Sequence, residues 1–248
     1  MTPFGDGVRL AVGTLTVLPV PPPRVVGPRV AGTAMMLAPL VVLPIAAAAA
    51  LVAWAGEAAQ VAPLLTASLA IAVLAIGSGV LHLDGLADTA DGLAVQGDRA
   101  RRLEVMRRGD VGPAGVVALL LVLLVQVSAL AAVPAAGTLC LGVVASRAML
   151  VVACARGVPA ARVDGLGSGV AGSVPPALAA LVVAVVAAVA GFVDGWRGVA
   201  GVSAALVAAA GVLLVARGRL GGVTGDVLGA CVELALAAYL VSQVVTIG

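Results

Sequence analysis

The chain contains no lysine, a single histidine and very little aromatic or charged material: of its 248 residues, 2% are aromatic and 10% charged. A soluble domain usually carries about 25% charge and about 45–50% apolar residues. Here 62% are hydrophobic and the mean hydropathy is +1.20, which excludes an ordinary soluble globular protein. Disorder is excluded on the same numbers, because it requires low hydrophobicity and high charge. The net charge is only +2, and no basic cluster has aromatic partners, so a nucleic-acid-binding module is excluded as well. The cysteines, Cys140, Cys154 and Cys231, lie in apolar stretches without metal-ligand spacing. They read as core residues, with no disulfide framework implied. All 14 basic side chains are arginine, which together with the Ala/Val/Gly excess reads as GC-rich codon usage rather than function. What remains is an integral membrane protein.

A spanning helix needs about 20 mostly apolar residues. Seven stretches qualify: Ala31–Ala55, Val61–Leu81, Ala114–Val133, Thr138–Ala155, Ala177–Val193, Val199–Ala216 and Val227–Ile247. The fifth and sixth are short, as expected of tilted neighbours or a helical hairpin. The expected fold is therefore a single all-α polytopic membrane bundle over residues 1–248 with about seven transmembrane helices. Residues 1–30 form a cytoplasmic or interfacial segment, because the apolar run Val8–Val20 is too short to span and ends in a rigid Pro21-Pro22-Pro23 turn rather than a cleavage site.

Arginine placement orients the bundle. With the N-terminus inside, Arg9, Arg24, Arg29, Arg99, Arg101, Arg102, Arg107, Arg108, Arg156, Arg162, Arg217 and Arg219 are cytoplasmic, and among loop arginines only Arg197 lies outside. Trp54, Phe192 and Trp196 fall at the outer ends. The expected topology is N-in and C-out.

The longest loop, 82–113, opens with His82-Leu83-Asp84-Gly85-Leu86-Ala87-Asp88-Thr89-Ala90-Asp91-Gly92. Asp84, Asp88 and Asp91 stand at i, i+4 and i+7, which on a helix is one face. Three stacked carboxylates repel one another unless a cation sits among them. Hard oxygen ligands on one face suit Mg²⁺, which takes its remaining ligands from water and substrate phosphates. A solvated acidic loop would mix in lysine, serine and glutamate, and this one does not. His82, two residues before Asp84, points away from the aspartate face of a continuous helix.

Two further cytoplasmic segments are glycine-rich with one acidic residue: Ala161-Arg162-Val163-Asp164-Gly165-Leu166-Gly167 and Gly221-Gly222-Val223-Thr224-Gly225-Asp226. Glycines let a backbone approach a ligand closely, and helix-start amides favour anions. Asp164, Gly165, Gly167, Gly221, Gly222 and Thr224 are therefore candidate substrate-binding positions, while Asp226 is either a ligand or a plain N-cap. Arg147 and Glu233 lie within apolar helices, where ionisable groups are costly and usually paired or functional. Both fall roughly 10–12 Å from the cytoplasmic end at about 1.5 Å per residue. They can brace one another, or Arg147 can face a substrate phosphate.

The run Leu81–Leu93 resembles the signature of the cobalamin synthase family, the adenosylcobinamide-GDP ribazoletransferases. The likeness extends along the chain: LTVLPVP (15–21), SRAML (146–150), ARVDGLG (161–167) and LGGVTGDVLGACVEL (220–234) are similar to other segments of that family in order and spacing. Two places depart from its pattern. Val17 stands where an arginine is usual, and in Met106-Arg107-Arg108-Gly109-Asp110-Val111-Gly112 the acidic position and one basic position are exchanged.

The resemblance implies a Mg²⁺-dependent phosphotransfer in the cytoplasmic (inner) membrane of a prokaryote. α-Ribazole or α-ribazole 5′-phosphate would attack the phosphate on the corrinoid arm of adenosylcobinamide-GDP, and GMP would leave. It carries over Asp84, Asp88, Asp91 and Asp226 as metal ligands and His82, Asp91 and Arg147 as catalytic groups. Glu233 joins the substrate-binding positions. Asp91 either completes the metal site or accepts the hydroxyl proton, and Arg101, Arg102 or Arg107 neutralise phosphate oxygens or merely set topology. Other aspartate-motif membrane enzymes, a prenyltransferase or a CDP-alcohol phosphotransferase, are the competing readings. A secondary transporter would show an internal repeat and midplane acids, and neither is evident. Small residues throughout the helices allow close packing within one chain or in a homo-oligomer.

Overall fold

A computed structural model describes residues 3–133 and 135–245, and the regular structure there is helical apart from two isolated bridges. Helix α1 (Pro3–Leu15) is amphipathic and packs on α2 (Pro28–Val41). Its buried Asp6 accepts the Arg24 amide at 3.2 Å, which folds the proline-rich connection back along the bundle. Helices α2 and α3 (Leu43–Ala58) make one 31-residue apolar span. It breaks at Val42 because Pro44, in the first turn of α3, cannot donate an amide and crowds the preceding turn.

Helix α4 (Pro63–Gly77) returns and stops four residues short of the expected Leu81. Gly79 and Val80 both take left-handed backbone angles, φ 62° and 63°, a costly geometry for a β-branched residue. The chain bends there by 89°, so α5 (Leu81–Ala94) leaves the α4 axis and packs on the helices Pro113–Ala131 and Gly225–Val244. Segment 82–113, expected as a loop, is thus largely helical. It comprises α5 and the short α6 (Arg99–Val105), whose N-cap Asp98 accepts the Arg101 amide at 2.9 Å.

Helices α7 (Pro113–Ala131) and α8 (Ala135–Ala153) are antiparallel crossings, followed by a loop carrying the six-residue α9 (Gly165–Val170). Helix α10 (Pro176–Arg219) is 44 residues long, about 66 Å if straight. It is not straight. Asp194 and Gly195 leave helical geometry, and a Cβ on Gly198 would strike the Ala190 carbonyl, so the chain doubles back. Parallel bridges Ala155–Val174 and Ala160–Val223 fasten both of its feet to the same loop. Of the two arrangements expected for the fifth and sixth runs, tilted neighbours or a hairpin, the hairpin forms. Helix α11 (Gly225–Val244) then runs through the middle of the bundle, against α5, α7, α8 and α10.

Among the described residues five helices are long and apolar enough to cross a membrane, six if the bent α4–α5 pair counts as one span. Counting the two arms of α10 separately gives seven crossings, in agreement with the all-α polytopic expectation. The last expected stretch ends at Ile247, and residues 246 and 247 lie outside the described residues. At one end of the bundle α5, α6, the loop 154–174 and the turn 220–224 come together. Arginines bind them: Arg99 donates to the Ala161 carbonyl at 2.6 Å and Arg162 to the Leu103 carbonyl at 3.0 Å. At the opposite end Arg197 holds the Gln243 carbonyl near the C-terminus of α11.

Candidate active site

The site is built on a backbone crossing. A Cβ on Gly85 would stand 2.7 Å from the Asp226 carbonyl oxygen, and one on Gly229 2.9 Å from that of His82. Helices α5 and α11 therefore touch main chain to main chain, which only glycine permits. This contact brings the first turn of α5, with Asp84, beside the first turn of α11, with Asp226. Thr224 caps α11 by accepting the Val227 amide at 3.2 Å and donates its hydroxyl to Asp226 at 3.0 Å. Asp226 is thus not the N-cap; its carboxylate is turned outward.

A cavity of about 240 Å³ opens between these turns, lined by Asp84, Asp226, Thr224 and Gly225, by Arg162 and by residues 164–168. Asp84 is exposed, and neither it nor Asp88 has a hydrogen-bond or ion-pair partner among the described residues. Burial and the neighbouring Asp226, Asp84 and Asp91 push the Asp88 carboxyl up to about 6, against the pull of Arg162. Asp84 and Asp88 are thus crowded among carboxylates without a hydrogen-bond donor of their own. Among the described residues no three His, Cys, Asp or Glu side chains form a ready-made cage for a metal. The donor set instead fits a hard cation held by one or two carboxylates and completed by a phosphate, the usual habit of Mg²⁺.

Asp91 faces the start of α7. Its two oxygens accept the amides of Gly112 at 2.7 Å and Gly115 at 2.9 Å, at the start of α7. A Cβ on either glycine would strike the carboxylate. Favourable charge at a helix N-terminus and charge-assisted bonds both hold it there. It locks the C-terminal half of α5 onto α7 and does not line the cavity. The same α5 end is closed by Arg102, which donates to the Leu93 carbonyl at 2.6 Å.

His82, Arg147 and Glu233 form a second group, buried to 3%, 1% and 6% exposure. Arg147 donates to Ser146 Oγ at 2.9 Å, and Glu233 accepts from Gln126 at 2.8 Å. Arg147 and Glu233 lie close enough to attract but form no direct bridge; with Gln126 they line a void of about 10 Å³. Both ring nitrogens of His82 are buried without a partner, and burial, reinforced by Arg147, holds its pKa well below the usual value. A neutral imidazole walled off in this way is not presented to a ligand in the cavity.

Of the glycine-rich positions, Asp164, Gly165, Gly167 and Thr224 line the cavity, whereas Gly221 and Gly222 do not. Gly221 lies under the Arg99 guanidinium and Gly222 against the Pro159 carbonyl, so these two serve packing. Arg101 pairs with Glu104 on the exposed side of α6, and Arg107 with Asp164 at the cavity rim. Arg162, counted in the sequence only toward topology, is the basic side chain in the cavity wall. Its position two residues before Asp164, inside the same motif, was the available signal.

The architecture defines a class: an all-α, multi-pass membrane protein with an acidic cavity at one end. The particular family follows from comparison. The profile of cobalamin-5-phosphate synthase matches residues 7–244. Over 96% of the chain it is 46% identical to an adenosylcobinamide-GDP ribazoletransferase of Nocardioides sp., covering 97% of that protein. Similar matches are the enzymes of that name from Frankia casuarinae, 40% identical over 96% of the chain and 94% of the relative, and Stutzerimonas stutzeri, 39% over 96% and 98%. No solved structure matches the chain. The chain belongs to the cobalamin-5-phosphate synthase family, as its motifs indicated.

Proposed function

We propose that the protein is an adenosylcobinamide-GDP ribazoletransferase acting at the cavity between α5, α11 and the loop 162–168. The carrying observation is the convergence of Asp84 and Asp226 on one cavity in a chain of this family. The substrates are adenosylcobinamide-GDP and α-ribazole or α-ribazole 5′-phosphate. A ribazole hydroxyl oxygen bonds to the phosphorus carried by the corrinoid arm, the bond from that phosphorus to the GMP oxygen breaks, and GMP departs. The proton released by the hydroxyl has carboxylates of the same cluster to receive it.

Asp84, Asp88 and Asp226 are the residues that would hold Mg²⁺. When bound, the ion supplies neutralisation of diphosphate charge and stabilisation of the leaving phosphate. Asp91 keeps α5 in register through the α7 amides and takes no part in proton transfer. His82, Arg147 and Glu233 brace the helices beneath the site. The protein is oriented N-in and C-out in a prokaryotic cytoplasmic membrane, with the cavity toward the cytoplasm. The support is arginine placement: the arginines of α6, of the loop after α8 and of the end of α10 gather at the cavity end, while Arg197 lies at the other.

The test is GMP release by purified protein in detergent or liposomes with Mg²⁺, adenosylcobinamide-GDP and α-ribazole 5′-phosphate. Release that needs both substrates and is lost in Asp88→Asn supports the reading. A folded protein that releases no GMP overturns it.

A further inference from the structure

The cavity poses an electrostatic problem that its carboxylates cannot solve. Asp84 and Asp226 each bring a negative charge, and the third acid of the lining, Asp164, is already matched by Arg107 at the rim. A divalent cation offsets the first two. A diphosphate entering the same space brings further negative charge, and Arg162 is the one cationic side chain among the lining residues.

Its hydrogen bonding is incomplete in a way that points to a ligand. The guanidinium has five N–H donors in a fixed fork. One terminal nitrogen donates to the Leu103 carbonyl at 3.0 Å, which anchors the group against α6. The same nitrogen lies 3.8 Å from Asp226 Oδ2, well beyond the 2.7–2.9 Å of a charge-assisted bond. Nε is buried with no partner and is itself sealed from the cavity; Nη1 has no partner either and is not sealed, so its donors are the ones a cavity ligand meets. With a side chain only 16% exposed, water does not readily supply what is missing. A buried donor left unmade is costly, and a phosphate oxygen is the acceptor whose charge and geometry match the fork.

We propose that Arg162 is the phosphate-binding side chain of the cavity, taking a non-bridging oxygen of the substrate diphosphate, with Asp226 as its loose partner in the unliganded protein. The choice of diphosphate rests on the transferase reading above; the anion subsite itself rests on the geometry of Arg162. Arg99 provides the internal control. It tethers the same loop through the Ala161 carbonyl yet does not line the cavity.

The experiment uses the full chain in detergent with Mg²⁺, reading the Kd for GDP and, separately, the KM for each substrate. Charge-assisted hydrogen bonds of this kind correspond to about a ten- to hundredfold change in binding. Arg162→Gln is expected to weaken GDP and raise the KM for adenosylcobinamide-GDP by that factor, leaving the KM for α-ribazole 5′-phosphate within about twofold. Arg162→Lys, which keeps the charge but not the fork, falls between the two. Arg99→Gln leaves GDP binding unchanged. The proposal is overturned if wild type binds neither GDP nor pyrophosphate, if Arg162→Gln binds GDP like wild type, or if Arg99→Gln reproduces its defect. Should Arg162→Gln not fold, Arg162→Lys decides alone, and wild-type GDP affinity in that variant overturns the proposal. Arginine-dependent binding of GDP in a wild-type protein that releases no GMP would overturn the transferase reading and leave the subsite standing.

Discussion

Helix α5 contributes to two groups of charged side chains that differ in almost every physical respect. On one side Asp84 and Asp226 line an open cavity, with Asp88 buried behind them; Asp84 and Asp88 have no hydrogen-bond partner among the described residues, and the Asp88 carboxyl is forced up to about 6. On the other, His82 lies near Arg147, which with Glu233 and Gln126 lines a void of about 10 Å³ across which the opposite charges attract. The first group is poor in compensation and opens to solvent through Asp84 and Asp226, as a binding site must. In the second the charges of Arg147 and Glu233 offset each other and every member is inaccessible, as in a brace within a membrane bundle. Ionisable residues in apolar helices are read by default as functional, and this molecule shows how burial and partnership divide them.

The largest effect that would sharpen the division is loss of chemistry without loss of fold. Outer-shell changes at metal sites typically cost ten- to a hundredfold, so Asp84→Asn, which touches a ligand itself, should lower GMP release by more than about a hundredfold. Its unfolding midpoint in detergent should match wild type. Near-normal turnover would remove Asp84 from the site.

The second group should respond in the opposite sense. Removing one partner of a buried charge pair costs about 3–5 kcal/mol, so Arg147→Met should be strongly destabilised. Arg147→Met combined with Glu233→Gln, which still offers Gln126 an acceptor, should recover most of that stability and release GMP. A double variant that is stable but inactive would break the comparison and bring that group into the chemistry.

Acidity gives a third handle. As pH falls through about 6 Asp88 gains a proton that competes with the metal, so Mg²⁺ affinity should drop by up to about tenfold per pH unit below that point. In metal-free protein the sign reverses. Because the folded carboxyl sits above its ordinary value, its contribution to stability is fully present at low pH and is lost as pH rises through about 6. Isothermal titration at pH 5 and 7 checks the first, and thermal unfolding in chelator the second.

A smaller change is expected at Asp91. Asp91→Asn should cost about 1–2 kcal/mol of stability through the weakened α7 cap, with the Mg²⁺ concentration for half-maximal rate unmoved. A shifted Mg²⁺ requirement would return Asp91 to the metal site. The smallest effect belongs to the exposed Arg107–Asp164 pair, worth no more than about 1 kcal/mol.

Much of this was legible in the sequence, for reasons that differ between residues. Composition and run length carry the helical crossings, and the short fifth and sixth runs admitted the α10 hairpin beside tilted neighbours without deciding between them. The aspartate spacing pointed to the cavity that Asp84 lines but gave no sign of the contacts Asp91 makes. Periodicity reports which face of a helix a residue occupies, whereas the role of Asp91 depends on Gly112 and Gly115, which arrive from another element. The glycines misled in a similar way. Those at 85 and 229 act by letting two main chains touch, and Gly221 and Gly222 by packing, which sequence does not separate from contact with a ligand. The bend after α4 was invisible because it rests on a left-handed Val80, against that residue's preference. Arg162 was hidden among the arginines that set orientation; its distinction is an unmet donor, and donors are counted only in three dimensions.

The passage of α11 through the middle of the bundle also sets a timetable. Asp84 and Asp88 leave the ribosome long before Asp226, and the α10 hairpin, whose feet flank the cavity, is made in between. Until α11 threads among α5, α7, α8 and α10, the early carboxylates face no opposite wall and Glu233 has not reached Arg147. Both charged groups are therefore finished by a single late insertion, and an unfinished chain holds neither a working site nor a settled interior.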